Sequence, residues 1–292
     1  SAHRIQPSGT TAMIVDVHTH TFPEVIRAQR ERFFPSEPAF KLLYETPNAR
    51  LVSATETIAT MDAEGVDVSV VFGFPWGDID TCRLNNDYVI EVVRRHPDRL
   101  KGFCCVDPFL PEAPAEVERC LSAGLSGVGE LAFYQSGIDT PCVECLAPIM
   151  DLCRRFEVPV MVHTNEPVGH PYPGKSPNTL AQIYRLAKAY PDNTIILAHW
   201  GGGLFFYQLL KREVTATLKN VYYDTAASPY LYDPAVYRLA AELAGSGKVL
   251  FGTDFPLLKP GRYYREIEAS GLSASQRRKV LGENAARLLR LQ

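Results

Sequence analysis

The feature of this sequence that most constrains its fold is an eightfold alternation of short apolar runs and longer amphipathic stretches. Each run is rich in β-branched and apolar residues and is bounded by Gly, Pro, Asp or Asn, which is typical of a strand. The stretches between the runs, such as residues 85–96 and 178–190, are long enough for a crossover helix. The sequence therefore predicts strands at residues 13–18, 66–73, 100–107, 126–133, 158–164, 194–200, 220–225 and 248–255.

Eight strand–helix units in 292 residues predict an α/β protein with a (β/α)8 TIM barrel. A doubly wound sheet is the alternative, but it normally has about five to seven strands and a glycine-rich first turn. Here the first turn, "HTHTFPE", contains no glycine. We expect a single domain over residues 13–292, preceded at residues 1–12 by a disordered lead or cloning remnant. Residues 21–50 are predicted to be an insertion after strand 1, on the face where barrels carry their active sites.

The composition argues against several classes of function. Lys and Arg total 30 against 33 Asp and Glu, the net charge is −3, and no basic stripe is formed, so we expect no nucleic-acid partner. No apolar run approaches the ~20 residues that cross a bilayer, and no signal peptide opens the sequence. The seven cysteines are scattered, and the CxxC of Cys142 and Cys145 has no redox context, so reduced thiols are expected. These features predict a cytoplasmic protein without a membrane partner.

The segment "VDVHTH" at residues 15–20 carries two histidines at the end of the first predicted strand. Side chains alternate along a strand, so we predict that Asp16, His18 and His20 share one face. Val15 and Val17 are then expected to pack outward against the helices. This arrangement leaves both histidines pointing into the mouth of the barrel.

Other polar residues fall at the C-terminal ends of later predicted strands, and four of the seven histidines lie at such ends. A barrel brings these ends together at one rim. Imidazole nitrogens and carboxylates bind Zn²⁺, Mn²⁺ or Fe²⁺ while leaving a position open for water or substrate. We therefore predict a metal site whose candidate ligands are His18, His20, Glu130, His163, His199 and Asp254.

These motifs resemble those of the amidohydrolase superfamily, in its amidohydrolase-related (amidohydrolase 2) branch, which includes aminocarboxymuconate-semialdehyde decarboxylase-like enzymes. The matching segments are "DVHTH", "VHTNEP", "LAHWGGG", "FGTDFP" and the closing "VLGENAARLLRL", and they occur in the family's order over residues 13–291. The resemblance implies that His199 is a second ligand or activates water or substrate. It implies that Asp254 both touches the metal and accepts a proton. The implied ligands of the principal metal are His18, His20, His163 and Asp254.

Glu130 separates the alternatives within this superfamily. Many superfamily hydrolases carry a carboxylated lysine on strand 4 that bridges two metals, and this chain has no lysine there. Its "GVGELAFY" resembles instead the "GEIGLDY" of the TatD-type branch, in which the glutamate is a metal bridge. Glu130 is expected either to bridge two metals, with His163 and His199 on the second, or to orient a ligand histidine. One or two divalent cations per chain fit the sequence, with zinc placed first and manganese or iron as alternatives.

The loop after predicted strand 5, residues 163–177, is unusually long and rich in Pro and Gly. We predict that Lys175 or Tyr172 on this loop holds an anionic or carbonyl group of a small-molecule substrate. Trp76, after strand 2, and Tyr134, after strand 4, are predicted to supply apolar walls of the pocket.

Two enzymatic functions fit the predicted site. The first is metal-dependent hydrolysis of an amide, ester or lactone, in which Asp254 takes a proton from the attacking water and His199 steadies the oxyanion. The alternative is nonoxidative decarboxylation of a small aromatic or unsaturated carboxylic acid, with His199 or Asp254 protonating the carbanion. Glu130 favours hydrolysis, since an extra carboxylate beside the metal would repel a substrate carboxylate. A structural metal and a TatD-like nuclease fit less well, and a homodimer is expected because such barrels often pair.

Overall fold

The barrel prediction is confirmed by the computed structural model, which describes residues 12–291. All eight predicted strands are present, and they form one parallel sheet in sequence order. Of the predicted lead at residues 1–12, residues 1–11 lie outside the described residues. The strands are β1 (Val15–His20), β2 (Val68–Phe72), β3 (Leu100–Cys104), β4 (Gly127–Leu131), β5 (Val160–Val162), β6 (Ile195–Leu197), β7 (Val221–Asp224) and β8 (Val249–Leu250).

The sheet closes into a barrel between β8 and β1. The amide of Val17 donates to the carbonyl oxygen of Phe251 at 2.9 Å, and the amide of His20 donates to the carbonyl oxygen of Phe255 at 2.9 Å. Thr19 also pairs in parallel with Phe255. Closure brings the C-terminal ends of the strands to one rim, where the loops of barrel enzymes form their active sites.

Helices alternate with the strands and cover the outside of the barrel. The helix that precedes β2 shows why such segments fold, because Ser53 and Glu56 form a capping box at its start and Gly65 ends it with a φ of 78°. The predicted closing segment forms the last helix and the wide turn before it. The helices are α1 (Glu24–Ala28), α2 (Pro38–Tyr44), α3 (Ala54–Glu64), α4 (Ile79–Arg95), α5 (Ala113–Ser122), α6 (Thr140–Cys145), α7 (Ala147–Arg155), α8 (Leu180–Ala189), α9 (Glu213–Thr217), α10 (Ser228–Leu231), α11 (Ala235–Ala244), α12 (Pro260–Ala269), α13 (Ala274–Arg278) and α14 (Asn284–Leu288).

The predicted facing of the first residues of β1 is wrong. Val15 and Val17 do not pack outward, because they belong to a buried cluster inside the barrel with apolar residues of five other strands. Asp16 points the other way and lines a small cavity behind the sheet together with Met61 of α3. The valines therefore fill the barrel interior below the two histidines.

A β-bulge explains how the histidines nevertheless face inward. Between Asp16 and Thr19, β1 contains one more residue than the paired segment of β2. Such an extra residue shifts the alternation of side chains by one position. As a result, His18 and His20 both contact Phe72 of the interior cluster, with ring centroids 5.2 and 4.8 Å from the Phe72 ring.

The insertion after β1 is held over the barrel mouth by an aromatic cluster. Its helices α1 and α2 are short, and Phe22, Phe40 and Trp76 around them have no exposed surface. The ring centroids of Phe40 and Trp76 lie 4.5 Å apart, and the Trp76 indole N–H donates to Oδ1 of Asn85 at 3.0 Å. Burial of several aromatic side chains is a large stabilising contribution, so the insertion is a fixed part of the fold.

All seven cysteines are free thiols, as expected. Cys142 and Cys145 both lie in α6, and the Cys145 thiol contacts the backbone carbonyl oxygen of Cys142 at 3.1 Å. Within residues 12–291, no helix has the length and apolar character needed to span a membrane.

Candidate metal centre

His18 and His20 reach the barrel mouth from the end of β1, and each ring is held from behind through its Nδ1 atom. His18 Nδ1 lies 2.8 Å from Oδ2 of Asp224 in β7. His20 Nδ1 lies 3.0 Å from the backbone carbonyl oxygen of Gly73. Because a carboxylate and a carbonyl oxygen only accept, both Nδ1 atoms carry a proton. The Nε2 atoms of both rings are left facing the centre of the site.

Asp254 completes a first group of ligand atoms with these two histidines. Its Oδ1 lies 3.4 Å from His18 Nε2 and 3.1 Å from His20 Nε2, and the three ligand atoms all lie within 4.8 Å of one another. The Asp254 amide donates to the carbonyl oxygen of His18 at 2.8 Å. Its φ of +60° is uncommon for a residue other than glycine and aims the carboxylate at the histidines.

Glu130 and His199 form a second group of ligand atoms, which shares His18 with the first. Glu130 Oε1 lies 3.5 Å from His18 Nε2, and Glu130 Oε2 lies 3.4 Å from His199 Nε2. His199 Nδ1 donates to the carbonyl oxygen of Ala226 at 2.8 Å, so its Nε2 faces the site. The two groups together make a metal-binding site at the barrel mouth.

A second bulge directs Glu130 into this site. Between Val128 and Leu131, β4 contains one more residue than the paired segment of β5. Gly129 makes this conformation accessible, since its φ is +137° and a Cβ at this position would lie 2.4 Å from the carbonyl oxygen of Met161. Only glycine fits both conditions.

His163 lies beside the centre but outside both groups of ligand atoms. Its Nδ1 is 3.1 Å from Glu130 Oε2. Its Nε2 is 2.9 Å from the carbonyl oxygen of Gly174 and 3.2 Å from Oδ1 of Asn165. His163 therefore connects the centre to the loop after β5, and it presents Nδ1 to the centre where the other three histidines present Nε2.

The residues fit a divalent cation. Each of the four rings has one nitrogen bonded to an acceptor behind it and the other turned to the centre, which is the usual environment of a metal-ligating histidine. His18 Nε2 is buried and has no hydrogen-bond partner among residues 12–291. An unpaired buried polar atom is costly, and a bound cation would satisfy it. The nitrogen and oxygen donor set suits zinc, manganese or iron.

The electrostatics of the site also favour a cation. Burial alone would lower the pKa of His18, but the carboxylates of Glu130, Asp224 and Asp254 hold it well above its usual range. Burial would also lower the pKa of His199, but the Glu130 carboxylate raises it to about 9. Without a metal, protons on the histidines compensate the buried carboxylates. A cation therefore competes with protons for the same nitrogen atoms.

Asp224, at the end of β7, is a functional residue that the sequence analysis missed. Its Oδ2 accepts from His18 Nδ1, and its Oδ1 accepts from the amides of His199 at 2.9 Å and Ala226 at 3.0 Å. It therefore orients one ligand directly and holds the backbone of another. A signal was present, because Asp224 ends the predicted strand "NVYYDT" as the other site residues end theirs.

The structure distributes Tyr134, Lys175 and Trp76, three of the four predicted substrate-binding residues, differently. Tyr134 lies at the mouth, with its ring centroid 5.3 Å from that of His163. Lys175 is bound within its own loop, to Glu166 Oε1 at 3.1 Å and to two backbone carbonyls. Trp76 has no exposed surface and belongs to the aromatic cluster beneath the insertion. Of the three, Tyr134 is the one that faces the metal centre.

Tyr44 of α2 is a second residue that the sequence analysis missed. Burial raises its pKa, and the nearby carboxylates of Asp254 and Glu130 raise it further. Burial also raises the pKa of Tyr134, again with contributions from Glu130 and from Tyr44. The charges of the metal-centre carboxylates therefore act on both Tyr44, the last residue of α2, and Tyr134, which follows β4. No periodicity in the insertion marks Tyr44, because its position depends on how the insertion folds over the barrel.

Comparisons with known proteins agree on the family. The model of the amidohydrolase family Amidohydro_2 matches residues 15–291. Gamma-resorcylate decarboxylase of Rhodococcus jostii is 27% identical over 258 residues, which cover 73% of this chain and 77% of that protein. The 2-amino-3-carboxymuconate-6-semialdehyde decarboxylase of Dictyostelium discoideum is 25% identical, over 77% of this chain and 71% of that protein.

A similar fold is found in the crystal structure of 5-carboxyvanillate decarboxylase from Novosphingobium aromaticivorans, complexed with manganese and 4-hydroxy-3-methoxy-5-nitrobenzoic acid. The two structures superpose with a TM-score of 0.75 at 18% sequence identity, over 99% of this chain and 98% of that one. At this identity the likeness concerns the fold.

The prediction of a hydrolase is wrong, because the curated relatives are decarboxylases. The prediction relied on Glu130, whose carboxylate beside the metal was expected to repel a substrate carboxylate. In the structure its side chain is 7% exposed and enclosed by imidazoles, from His163 Nδ1 at 3.1 Å to His20 Nε2 at 3.6 Å. Burial would raise the pKa of Glu130, but His18, His163 and His199 hold it well below its usual range, so the charge is compensated.

Proposed function

The chain belongs to the amidohydrolase family, which it matches over residues 15–291, and we propose that it is a metal-dependent decarboxylase of a small aromatic carboxylic acid. The observation that carries this proposal is that curated relatives aligned over 73% and 77% of the chain are decarboxylases. The position of the metal-binding residues at the barrel mouth supports it, since barrel enzymes act at this rim.

The residues that would hold the cation are His18, His20 and Asp254, with Glu130 and His199 in the second group of ligand atoms, which shares His18. A bound divalent cation polarises substrate oxygens and offsets the charge of a carboxylate. Manganese is the first metal to test, because the similar 5-carboxyvanillate decarboxylase structure contains it. Zinc, which the sequence analysis placed first, is the second.

Asp254 is the proposed proton donor. Loss of CO₂ breaks the bond between the ring and the carboxyl group and leaves the electron pair on the ring carbon, which then takes up one proton. Burial would raise the pKa of Asp254, but His18 and His20 hold it below its usual range, so its carboxylate must first take a proton from solvent at the mouth, where 18% of the side chain is exposed. His199, whose Nε2 faces the same space, is the second candidate. Overall, an aryl carboxylate and a proton give the arene and CO₂.

Tyr44 and Tyr134 are the proposed substrate contacts. Burial and the carboxylates of Glu130 and Asp254 raise the pKa of both hydroxyls, and Tyr134 also packs beside His163, with ring centroids 5.3 Å apart. A phenol hydroxyl donates one hydrogen bond and accepts others, which suits the oxygen substituents of a hydroxylated aromatic acid. Their rings also supply apolar walls on which an aromatic substrate can pack.

A substrate panel tests the proposal. Chelator-treated protein is reloaded with Mn²⁺ or Zn²⁺ and incubated with 2,6-dihydroxybenzoate, 6-methylsalicylate and 5-carboxyvanillate, and CO₂ and arene are measured. We expect equal amounts of both products from at least one acid, and no product from the His18→Ala variant. Lys188→Met, which alters an exposed ion pair on α8, is the matched control and should remain active. Absence of CO₂ from every acid with metal-loaded protein contradicts the proposal.

A further inference from the structure

The loop between β5 and α8 is fastened to itself by Lys175. The Lys175 ammonium lies 2.6 Å from the carbonyl oxygen of Val168, 3.2 Å from that of His170, and 3.1 Å from Oε1 of Glu166. An ammonium has three N–H donors, and three acceptors occupy them. Lys175 therefore has no donor left for a substrate carboxylate unless one of these contacts breaks.

Glu166 joins this lysine to a third residue. Its other carboxylate oxygen, Oε2, accepts a hydrogen bond from the Tyr172 hydroxyl at 3.1 Å, and the Lys175 ammonium lies 5.4 Å from the centroid of the Tyr172 ring. The side chains of Lys175 and Glu166 are only 13% and 19% exposed, so solvent screens this ion pair less than it screens a surface pair. We call Glu166, Tyr172 and Lys175 the loop clasp.

The loop clasp brackets the atom that holds His163. Gly174 lies between Tyr172 and Lys175, and its carbonyl oxygen accepts from His163 Nε2 at 2.9 Å. Gly174 has a φ of +89°, and a Cβ there would lie 2.7 Å from Leu43 of α2. The carbonyl is therefore held between the clasp on one side and the insertion on the other.

The bond from His163 to Gly174 decides which nitrogen faces the metal centre. A carbonyl oxygen only accepts, so Nε2 carries a proton, and Nδ1 is the nitrogen that is turned to Glu130 and the metal centre. That Nδ1 lies 3.1 Å from Glu130 Oε2, at the edge of the metal centre. If the Gly174 carbonyl moved away, the ring would lose the shorter of the two contacts that orient Nε2, and Oδ1 of Asn165 at 3.2 Å would be the acceptor left.

We propose that Glu166, Tyr172 and Lys175 are positioning residues of the metal centre, which act through the Gly174 carbonyl on His163. This inference rests on the metal centre of the proposed function. It assigns the loop clasp to cation binding, whereas the sequence analysis assigned Lys175 and Tyr172 to the substrate.

The test compares Mn²⁺ binding, kinetics and stability in the full-length protein. Variants Lys175→Met and Tyr172→Phe break the clasp to different extents, and Lys175→Arg keeps the charge. Lys188→Met is the matched control, because it breaks a Lys–Glu pair with a 2.7 Å contact on the outer surface. Mn²⁺ affinity is measured by calorimetry on chelator-treated protein, and kcat, KM and the metal-free melting temperature are measured alongside.

We expect Lys175→Met to weaken Mn²⁺ binding by about tenfold, because His163 contacts Glu130, one of the residues that would hold the cation, and such supporting contacts typically matter by about this much. The kcat should fall with it while KM stays nearly constant. Tyr172→Phe removes one hydrogen bond and should weaken Mn²⁺ binding by about threefold. Lys175→Arg should recover part of the affinity, and Lys188→Met should bind Mn²⁺ like the wild type.

An unchanged Mn²⁺ affinity in Lys175→Met overturns the inference, and so does a rise in KM alone, which would make Lys175 a substrate contact. If Lys175→Met does not fold, Tyr172→Phe decides by the same criterion. A wild-type protein that binds no Mn²⁺ also overturns it. Metal binding is measured without substrate. A protein whose Mn²⁺ affinity depends on the clasp but which releases no CO₂ therefore contradicts only the proposed function.

Discussion

Replacing Asp224 by asparagine turns a carboxylate into a neutral amide at a residue that does not itself face the substrate. The carboxylate accepts from His18 Nδ1 through Oδ2 and from the amides of His199 and Ala226 through Oδ1. In the Asp224→Asn variant, the amide oxygen can keep the two backbone N–H groups, and the NH₂ group then faces His18 Nδ1. Two donors cannot bond, so Nδ1 must become the acceptor and the ring proton moves to Nε2.

This change of tautomer blocks the atom of His18 that faces the metal. Loss of a charged hydrogen bond in the interior costs about 1.5–3 kcal/mol of stability. Loss of a residue that orients a metal ligand typically weakens metal binding by about 10–100-fold, which corresponds to about 1.4–2.8 kcal/mol of binding free energy. We therefore expect Asp224→Asn to lower both the stability of the protein and its affinity for the metal, although the two side chains have nearly the same size and shape.

The assay is a Mn²⁺ titration of chelator-treated protein, followed by thermal unfolding with and without saturating Mn²⁺. Wild type should gain more stability from Mn²⁺ than Asp224→Asn does, because the stabilisation follows RT ln(1 + [L]/Kd). Asp139→Asn is the control, since Asp139 caps α6 at the surface and makes no contact with the centre. An Asp224→Asn variant that binds Mn²⁺ as tightly as wild type would refute the tautomer argument.

Three further predictions follow from the same structure. Tyr44→Phe and Tyr134→Phe should each raise KM by about two- to tenfold with unchanged Mn²⁺ affinity, because each loses one hydrogen bond to substrate; an unchanged KM in both contradicts the proposed pocket. Burial opposes protonation of His199, but Glu130 favours it and raises the His199 pKa to about 9. The ion pair of protonated His199 with Glu130 should therefore stabilise the metal-free protein fully below pH ~6.5, and this stabilisation should be lost as pH rises through about 9. Thermal unfolding at pH 6 and 10 checks this, and His199→Gln should flatten the difference. Trp76→Ala should lower the free energy of unfolding by about 3–5 kcal/mol, measured by chemical denaturation, and leave KM of the folded protein unchanged. A rise in KM without loss of stability would mean that Trp76 contacts the substrate.

Strands and helices were predictable from this sequence because their signals are local. The period of two in the apolar runs and the caps around α3 depend on residues a few positions apart. The strand count then determined the barrel, and the barrel rim predicted that His18, His199 and Asp254 meet. In the structure, His18 shares one group of ligand atoms with Asp254 and another with His199.

Only the tertiary structure decided how those residues are aimed and which neighbours they use. The bulges in β1 and β4 change the facing of His18 and Glu130, and a bulge arises from pairing with another strand, which alternation along one strand does not show. Asp224 supports His18 across 206 positions of sequence. Lys175 and Trp76 have side chains suited to a pocket. In the fold, however, the Lys175 ammonium bonds within its own loop and the Trp76 ring is buried. The sequence by itself determined the barrel and the ligand types at its mouth, because periodicity and strand ends depend on residues that are close together in the sequence. Tertiary contacts decided ligand orientation, charge compensation and the pocket, because each depends on residues that meet only when the barrel closes.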